Sequence, residues 1–514
     1  MELDNERFFS HDDDTFGEHY VHYDDDYGEF VFEGDAGGMQ QPPWPGLSCT
    51  AMVTWSVVSQ LWPLFALCLL QRCVCLANAQ LTRASTRLPA ATTILFAAAF
   101  LTWQFDVRVV CALSTLALGS ALLFCFRHLC RPVSCALLGV VVCLTVSLVD
   151  QFLLLEPTLF HSLMGAQMVL MMKVISRGVQ LDASEKAAAY AGRQRGTMPS
   201  LKSAADEALL SLAYFLDVGT VAFGPWQSFD DFRVNLVSFE LDLAFFGLCN
   251  ALWKAVLALC CVSVASCWLE RAYPDELRPA AADDSAPRLW LWAYRDALSF
   301  RLSHYFVSLL SEASLLLVGG SFGFEPFRFL VTSPWRVELP RSLVDVVTEW
   351  SRPMSAWLRL CVYDQLRPRA GKLAAILAVF TCSSLLHGLS GQMSAVLLSL
   401  GFYVFLEHEF RDELARRLSA CVRSKPCRSE CSHASGEGRL WVWVVNLSFR
   451  LLAVFHLAYV ACLFESQEQR VTGFSLAHTW RYWARLRFAS PAVALGTLLC
   501  WLLLKYWPTP RKRA

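Results

Sequence analysis

Apolar residues in this chain gather in long runs, with neither the alternation of a half-buried strand nor the narrow stripe of a surface helix. The runs are Val53–Leu70, Leu88–Phe105, Val109–Phe126, Cys135–Leu155, Leu243–Leu269, Ala374–Leu386, Met393–Phe405, Leu440–Phe464 and Ala489–Leu504. Less regular ones cover Leu159–Ile175, Leu209–Phe223 and Phe300–Val318. A helix needs about 20 such residues to cross about 30 Å of hydrocarbon. The pattern predicts an all-α integral membrane protein, a multi-pass bundle of about eleven membrane helices, give or take two, with short polar ones re-entrant. Membrane barrel strands would alternate in ~10-residue segments, which these runs do not.

Composition agrees: 17% of residues are charged, against about 25% in soluble domains. The charge is unevenly placed. Residues 1–47 hold thirteen acidic residues and one base, Arg7, whereas the rest of the chain carries 43 bases and 32 acids. The expected organisation is a disordered acidic tail over 1–47, a membrane domain over 48–507 and a basic tail over 508–514. The acidic start does not match a cleavable signal peptide, so the first membrane helix is expected to direct insertion. No nucleic-acid partner is expected; the partner implied by composition is the lipid bilayer.

Cytoplasmic loops are enriched in Lys and Arg. Three basic segments, Arg367–Lys372, Arg411–Arg439 and Arg511-Lys512-Arg513, are separated by two apolar runs each. This places all three in the cytosol and the turn Gly388–Gly391 in the lumen, although the intervening lumenal segment 466–487 is also basic. His387, in Leu385-Leu-His-Gly388, then lies at the lumenal end of its helix. An ionisable residue in a membrane segment is a functional candidate, and imidazole suits general-base work. A histidine at a helix end is nevertheless more often structural. Upstream, Arg341–Trp350 is patterned as an amphipathic helix at the membrane interface, and Pro353 starts another helix. Lys173 and Asp217 fall inside apolar segments, as tunnel-lining groups or members of a buried pair.

Many of the twenty cysteines lie in apolar runs and behave as small hydrophobes, so their number does not imply an oxidising compartment. Cys421, Cys427, Cys431 and His433 are spaced compatibly with a structural zinc site. The alternative is a set of reduced cysteines in a mobile loop. The glycosylation sequon Asn446-Leu-Ser448 sits within an apolar helix and should be unused.

Four segments resemble the Porcupine branch of the membrane-bound O-acyltransferases: Met164–Lys173, Phe223-Gly-Pro-Trp226, Val337–Trp357 and Leu385–Leu400. A fifth, Glu407–His433, is also similar, so the resemblance covers roughly 160 to 510 in family order. It implies transfer of a palmitoleoyl group from acyl-CoA to a serine of Wnt proteins in the endoplasmic reticulum membrane, with no tightly bound organic cofactor. It implies a catalytic tunnel with His387 as active-site base. Ser351 stands where the family usually has Asn or Asp, with Glu349 a nearby acidic candidate. Arg336, Arg341 and Lys372 are candidates for the CoA phosphates, or membrane-interface anchors. Competing readings are a related acyltransferase acting on another secreted protein, such as hedgehog or ghrelin, and a non-catalytic scaffold or carrier.

Overall fold

The computed structural model describes residues 22–24, 29–31, 45–82, 85–126, 134–190, 201–237, 241–274, 285–319, 330–427, 431–464 and 475–506. Most of the acidic tail and all of residues 508–514 lie outside these; within the tail, His22–Asp24 pairs antiparallel with Glu29–Val31. The other regular elements among the described residues are helices. The first half comprises α1 (Pro45–Thr82), α2 (Arg87–Gln104), α3 (Val107–Cys125), α4 (Cys135–Val149), α5 (Pro157–Tyr190), α6 (Leu201–Phe215), α7 (Phe229–Val237), α8 (Leu241–Ser263) and α9 (Leu269–Ala272). The second comprises α10 (Ala286–Leu317), α11 (Pro334–Glu338), α12 (Leu343–Trp350), α13 (Arg352–Leu358), α14 (Asp364–Leu386), α15 (Gly391–Leu418), α16 (Leu440–Ala461), α17 (Leu476–Arg485) and α18 (Ala489–Tyr506).

Among the described residues, nine helices are long and apolar enough to cross a membrane. The long helices α2 and α10 fall outside that set and pack against it. In α10 the reason is charge: Arg295, Asp296, Arg301 and Glu312 are all buried there. Each has a partner, as buried charge requires. Lys254 of α8 lies 3.0 Å from Glu312, and Arg301 lies 2.7 Å from Glu338.

The run Leu209–Phe223 is not a span. α6 stops at Phe215 and the chain turns through 217–223. The cause is Asp217, whose buried carboxylate accepts from Thr220 Oγ1 at 2.8 Å and Gln227 Nε2 at 3.0 Å. Lys173 Nζ donates to the same Thr220 hydroxyl at 2.7 Å. A straight helix would leave these groups unsatisfied in an apolar medium. The turn instead carries Phe223-Gly-Pro-Trp226 into the protein interior.

Sidedness follows from contacts. Gln151, just beyond α4, accepts the Leu389 backbone N–H at 3.1 Å. Helices α1 to α4 alternate in direction, so the start of α1, the end of α4 and the 388–391 turn share one face. Cys49 and Cys267, joined by a disulfide, lie there too. α15 is 28 residues long, roughly 42 Å, and carries the chain to the opposite face, where Cys421 begins the cysteine cluster.

Candidate active site

The Leu-Leu-His-Gly element ends α14 abruptly. Gly388 takes φ 76°, a left-handed conformation that glycine adopts without steric cost. A Cβ there would approach Phe160 Cε1 to 3.2 Å. His387 therefore occupies the helix C-cap, its N–H donating to Ser384 O at 3.2 Å. The Ser384 and Ser394 hydroxyls, 2.7 Å apart, tie α14 to α15.

His387 lines a cavity of about 650 Å³ between the two main apolar cores. That volume falls in the ~300–1,000 Å³ range of ligand pockets. The four segments singled out in the sequence converge here: Met164 and Met168, Trp226, most residues between Val344 and Ser355, and His387 line it. Most of the lining is apolar. The far end is basic, with Arg359, Lys372, His408 and Lys425. Lys372 follows the kink at Gly371, φ 83°. His387 lies fifteen positions further along the helix, a rise of roughly 22 Å.

The segment Leu343–Trp350 is a helix as predicted. Leu343 and Val346 are buried, and Val344 and Val347 face the cavity, so α12 is an inner wall. It is held by Ser342, whose hydroxyl caps α12 by accepting from Asp345 N–H and donates to Ser424 O at 3.1 Å. Glu349 pairs with Arg336 and Arg352.

The MBOAT family, membrane-bound O-acyltransferases, matches residues 207–416. The human protein-serine O-palmitoleoyltransferase porcupine is 37% identical over 379 residues, covering 70% of this chain and 76% of that one. The mouse protein of the same name is 36% identical over 375 residues, covering 70% and 76%. The Drosophila melanogaster one is 32% identical over 365 residues, covering 66% and 64%. The chain belongs to the membrane-bound O-acyltransferase family.

Membrane-bound O-acyltransferases use acyl-CoA, a bulky anion joined to an apolar chain, and the cavity offers a basic mouth and an apolar interior to match. Of the three cations expected near the phosphates, only Lys372 lines it, at 2.7 Å from Glu409. Arg336 is 61% exposed in its pair with Glu349. Arg341 donates to the Arg423 and Cys421 carbonyls at 3.0 and 3.1 Å.

Ser351 lines the cavity, but its hydroxyl also accepts from Met354 N at 3.4 Å as the N-cap of α13. The polar group that sequence reasoning missed is His304 of α10. Its Nε2 lies 2.9 Å from Trp350 O, the residue before Ser351, and its ring faces the cavity shared with His387. The sequence signal for it was its position in the less regular apolar run Phe300–Val318, where an ionisable residue is a functional candidate.

On the opposite face the ligand atoms of Cys421, Cys427, Cys431 and His433 all lie within 4.8 Å of one another. Cys421 Sγ is 3.3 Å from Cys431 Sγ, and His433 Nδ1 is 3.6 and 3.4 Å from Cys421 and Cys427 Sγ. Tetrahedral zinc with S and N ligands implies S···N edges of about 3.6 Å, so the quartet can hold a metal ion.

Proposed function

We propose that this protein is a protein-serine O-palmitoleoyltransferase that acylates Wnt proteins in the endoplasmic reticulum membrane. The observation that carries the reading is the placement of His387 in a mostly apolar cavity that also has basic lining residues, Lys372 among them. Acyl-CoA enters from the cytosolic mouth, and the acceptor serine reaches His387 from the lumenal face. His387 takes the serine proton as the serine oxygen attacks the thioester carbonyl. The carbon–sulfur bond breaks, CoA leaves as a thiol after recovering the proton, and the serine carries an oxyester. The thioester is already activated, so no acyl-enzyme is needed. Alignment of two reactants drawn from opposite faces contributes much of the acceleration. The Ser351 hydroxyl, which lines the cavity, and backbone N–H groups near the helix break are the candidate donors to the developing oxyanion. The Cys3His quartet, on the reducing side, suits a structural zinc ion.

The test is transfer from palmitoleoyl-CoA to a Wnt hairpin peptide containing the acceptor serine, by purified protein. His387→Ala should abolish transfer while retaining the wild-type thermal transition. Undiminished turnover in that variant removes His387 from the mechanism.

A further inference from the structure

The backbone leading out of the cysteine quartet is held with unusual completeness. The Cys421 carbonyl accepts from Arg341 Nη2 and Asn446 Nδ2, each at 3.1 Å. Val422 O accepts from the buried Arg411 Nε at 2.7 Å. Arg423 O accepts from Arg341 Nε and Arg411 Nη2, each at 3.0 Å. Ser424 O accepts from Ser342, the cap of α12, and its hydroxyl lies 2.8 Å from His408 Nδ1. Four consecutive carbonyls are thus anchored to α12, α15 and α16. Lys425 comes next and lines the cavity mouth, with Lys372 and His408. Two residues further on is Cys427. Lys425 therefore lies between a clamped loop segment and a candidate metal ligand, while Ser435, beyond His433, returns to accept the Cys421 N–H at 2.9 Å.

We propose that a zinc ion held by Cys421, Cys427, Cys431 and His433 closes this loop, and that the closure fixes Lys425 at the cavity mouth as a contact for the phosphates of CoA. The proposal deepens the acyl-CoA reading above and rests on it for the identity of the ligand. The physical argument is entropy. A lysine on an untethered loop loses rotamer and backbone freedom when it engages an anion. Metal ligation at Cys427 removes that freedom beforehand. The compartment is compatible, since the quartet lies on the face opposite the Cys49–Cys267 disulfide, where thiols remain reduced.

The experiment uses the full chain in lipid nanodiscs. Metal content is read by elemental analysis, and binding of CoA itself by calorimetry, so neither readout depends on turnover. Wild type should carry one zinc per chain. Cys427→Ser and Cys431→Ser should lose it and weaken CoA binding about tenfold, the loss of one charge-assisted contact. Lys425→Ala should keep the zinc and weaken CoA binding by the same factor, and Lys425→Arg should restore most of it. Cys500→Ser, at an exposed cysteine of α18, should change neither. Absence of stoichiometric zinc from wild type overturns the metal site. Normal CoA affinity in Lys425→Ala, or in a zinc-free cysteine variant, overturns the link to the mouth. Zinc and CoA binding without acyl transfer would instead leave this proposal standing and sink the transferase reading.

Discussion

The imidazole of His304 lies flat on the indole of Trp350, ring centroids 4.0 Å apart and planes 12° from parallel. Its Nε2 donates to the carbonyl of that same Trp350 at 2.9 Å, and Thr332 Oγ1 donates there as well. One histidine thus fixes both the side chain and the backbone of the residue that joins α12 to the Ser351 elbow. Through Trp350 it reaches Phe300, whose ring stacks on the same indole at 5.8 Å.

His304 is expected to act by positioning. His304→Ala should lower the transfer rate at least about tenfold, from the loss of one stack and one hydrogen bond. His304→Gln, which keeps a donor but no ring, should recover part of the rate. Steady-state kinetics with varied acyl-CoA would separate the roles, since an elbow holder alters the Michaelis constant as well as kcat. Wild-type kinetics in His304→Ala would show that the stack is dispensable.

Ser351 caps α13, and loss of a cap costs about 1 kcal/mol. Ser351→Ala should therefore lower the thermal transition slightly and retain measurable transfer. Ser351→Asn should be tolerated, since Asn is an equally good cap. Complete loss of activity in a folded Ser351→Ala protein would assign the hydroxyl to the chemistry.

The disulfide, the 388–391 turn and the start of α1 should face the lumen, and the C-terminus the cytosol. In sealed microsomes a C-terminal epitope tag should be protease-sensitive and a tag in the 388–391 turn protected. Cys427 should react with an impermeant maleimide only from the cytosolic side. The opposite pattern would invert the enzyme and place the basic mouth in the lumen.

The cavity is walled by packed helices, so chain shape should matter. Stearoyl-CoA should transfer at least about thirtyfold less well than palmitoleoyl-CoA, because each of its two further methylenes forced into a packed core costs ~1 kcal/mol or more. Donors of increasing length, with and without a cis double bond, make the comparison against one serine peptide. Equal rates throughout would rule out selection by shape.

Much of this was legible in the chain itself. Apolar length marks membrane helices because the hydrocarbon thickness is fixed, and eight of the nine described spans coincide with regular apolar runs; the other, Pro157–Ala187, contains the less regular run Leu159–Ile175. His387 stood out because an ionisable side chain among apolar neighbours is costly. The cysteine spacing likewise anticipated a cluster whose ligand atoms meet. These are local properties, set by residues near in sequence.

What failed to be legible depends on partners far along the chain. Leu209–Phe223 has the apolar content of a span, yet Asp217, held in a turn by its bonds to Thr220 and Gln227, also meets Thr93, 124 residues earlier. Cys49 finds Cys267 across 218 residues. His304 reads as one polar residue in a helix until Trp350 closes over it, and Lys425 as one base in a basic segment until the loop before it is clamped to Ser342 at the start of α12. Hydrophobicity and helix period determine which segments form and cross the bilayer. Which polar groups share a cavity is decided only when the helices pack, because a buried donor, acceptor or charge must find its partner wherever the fold supplies one.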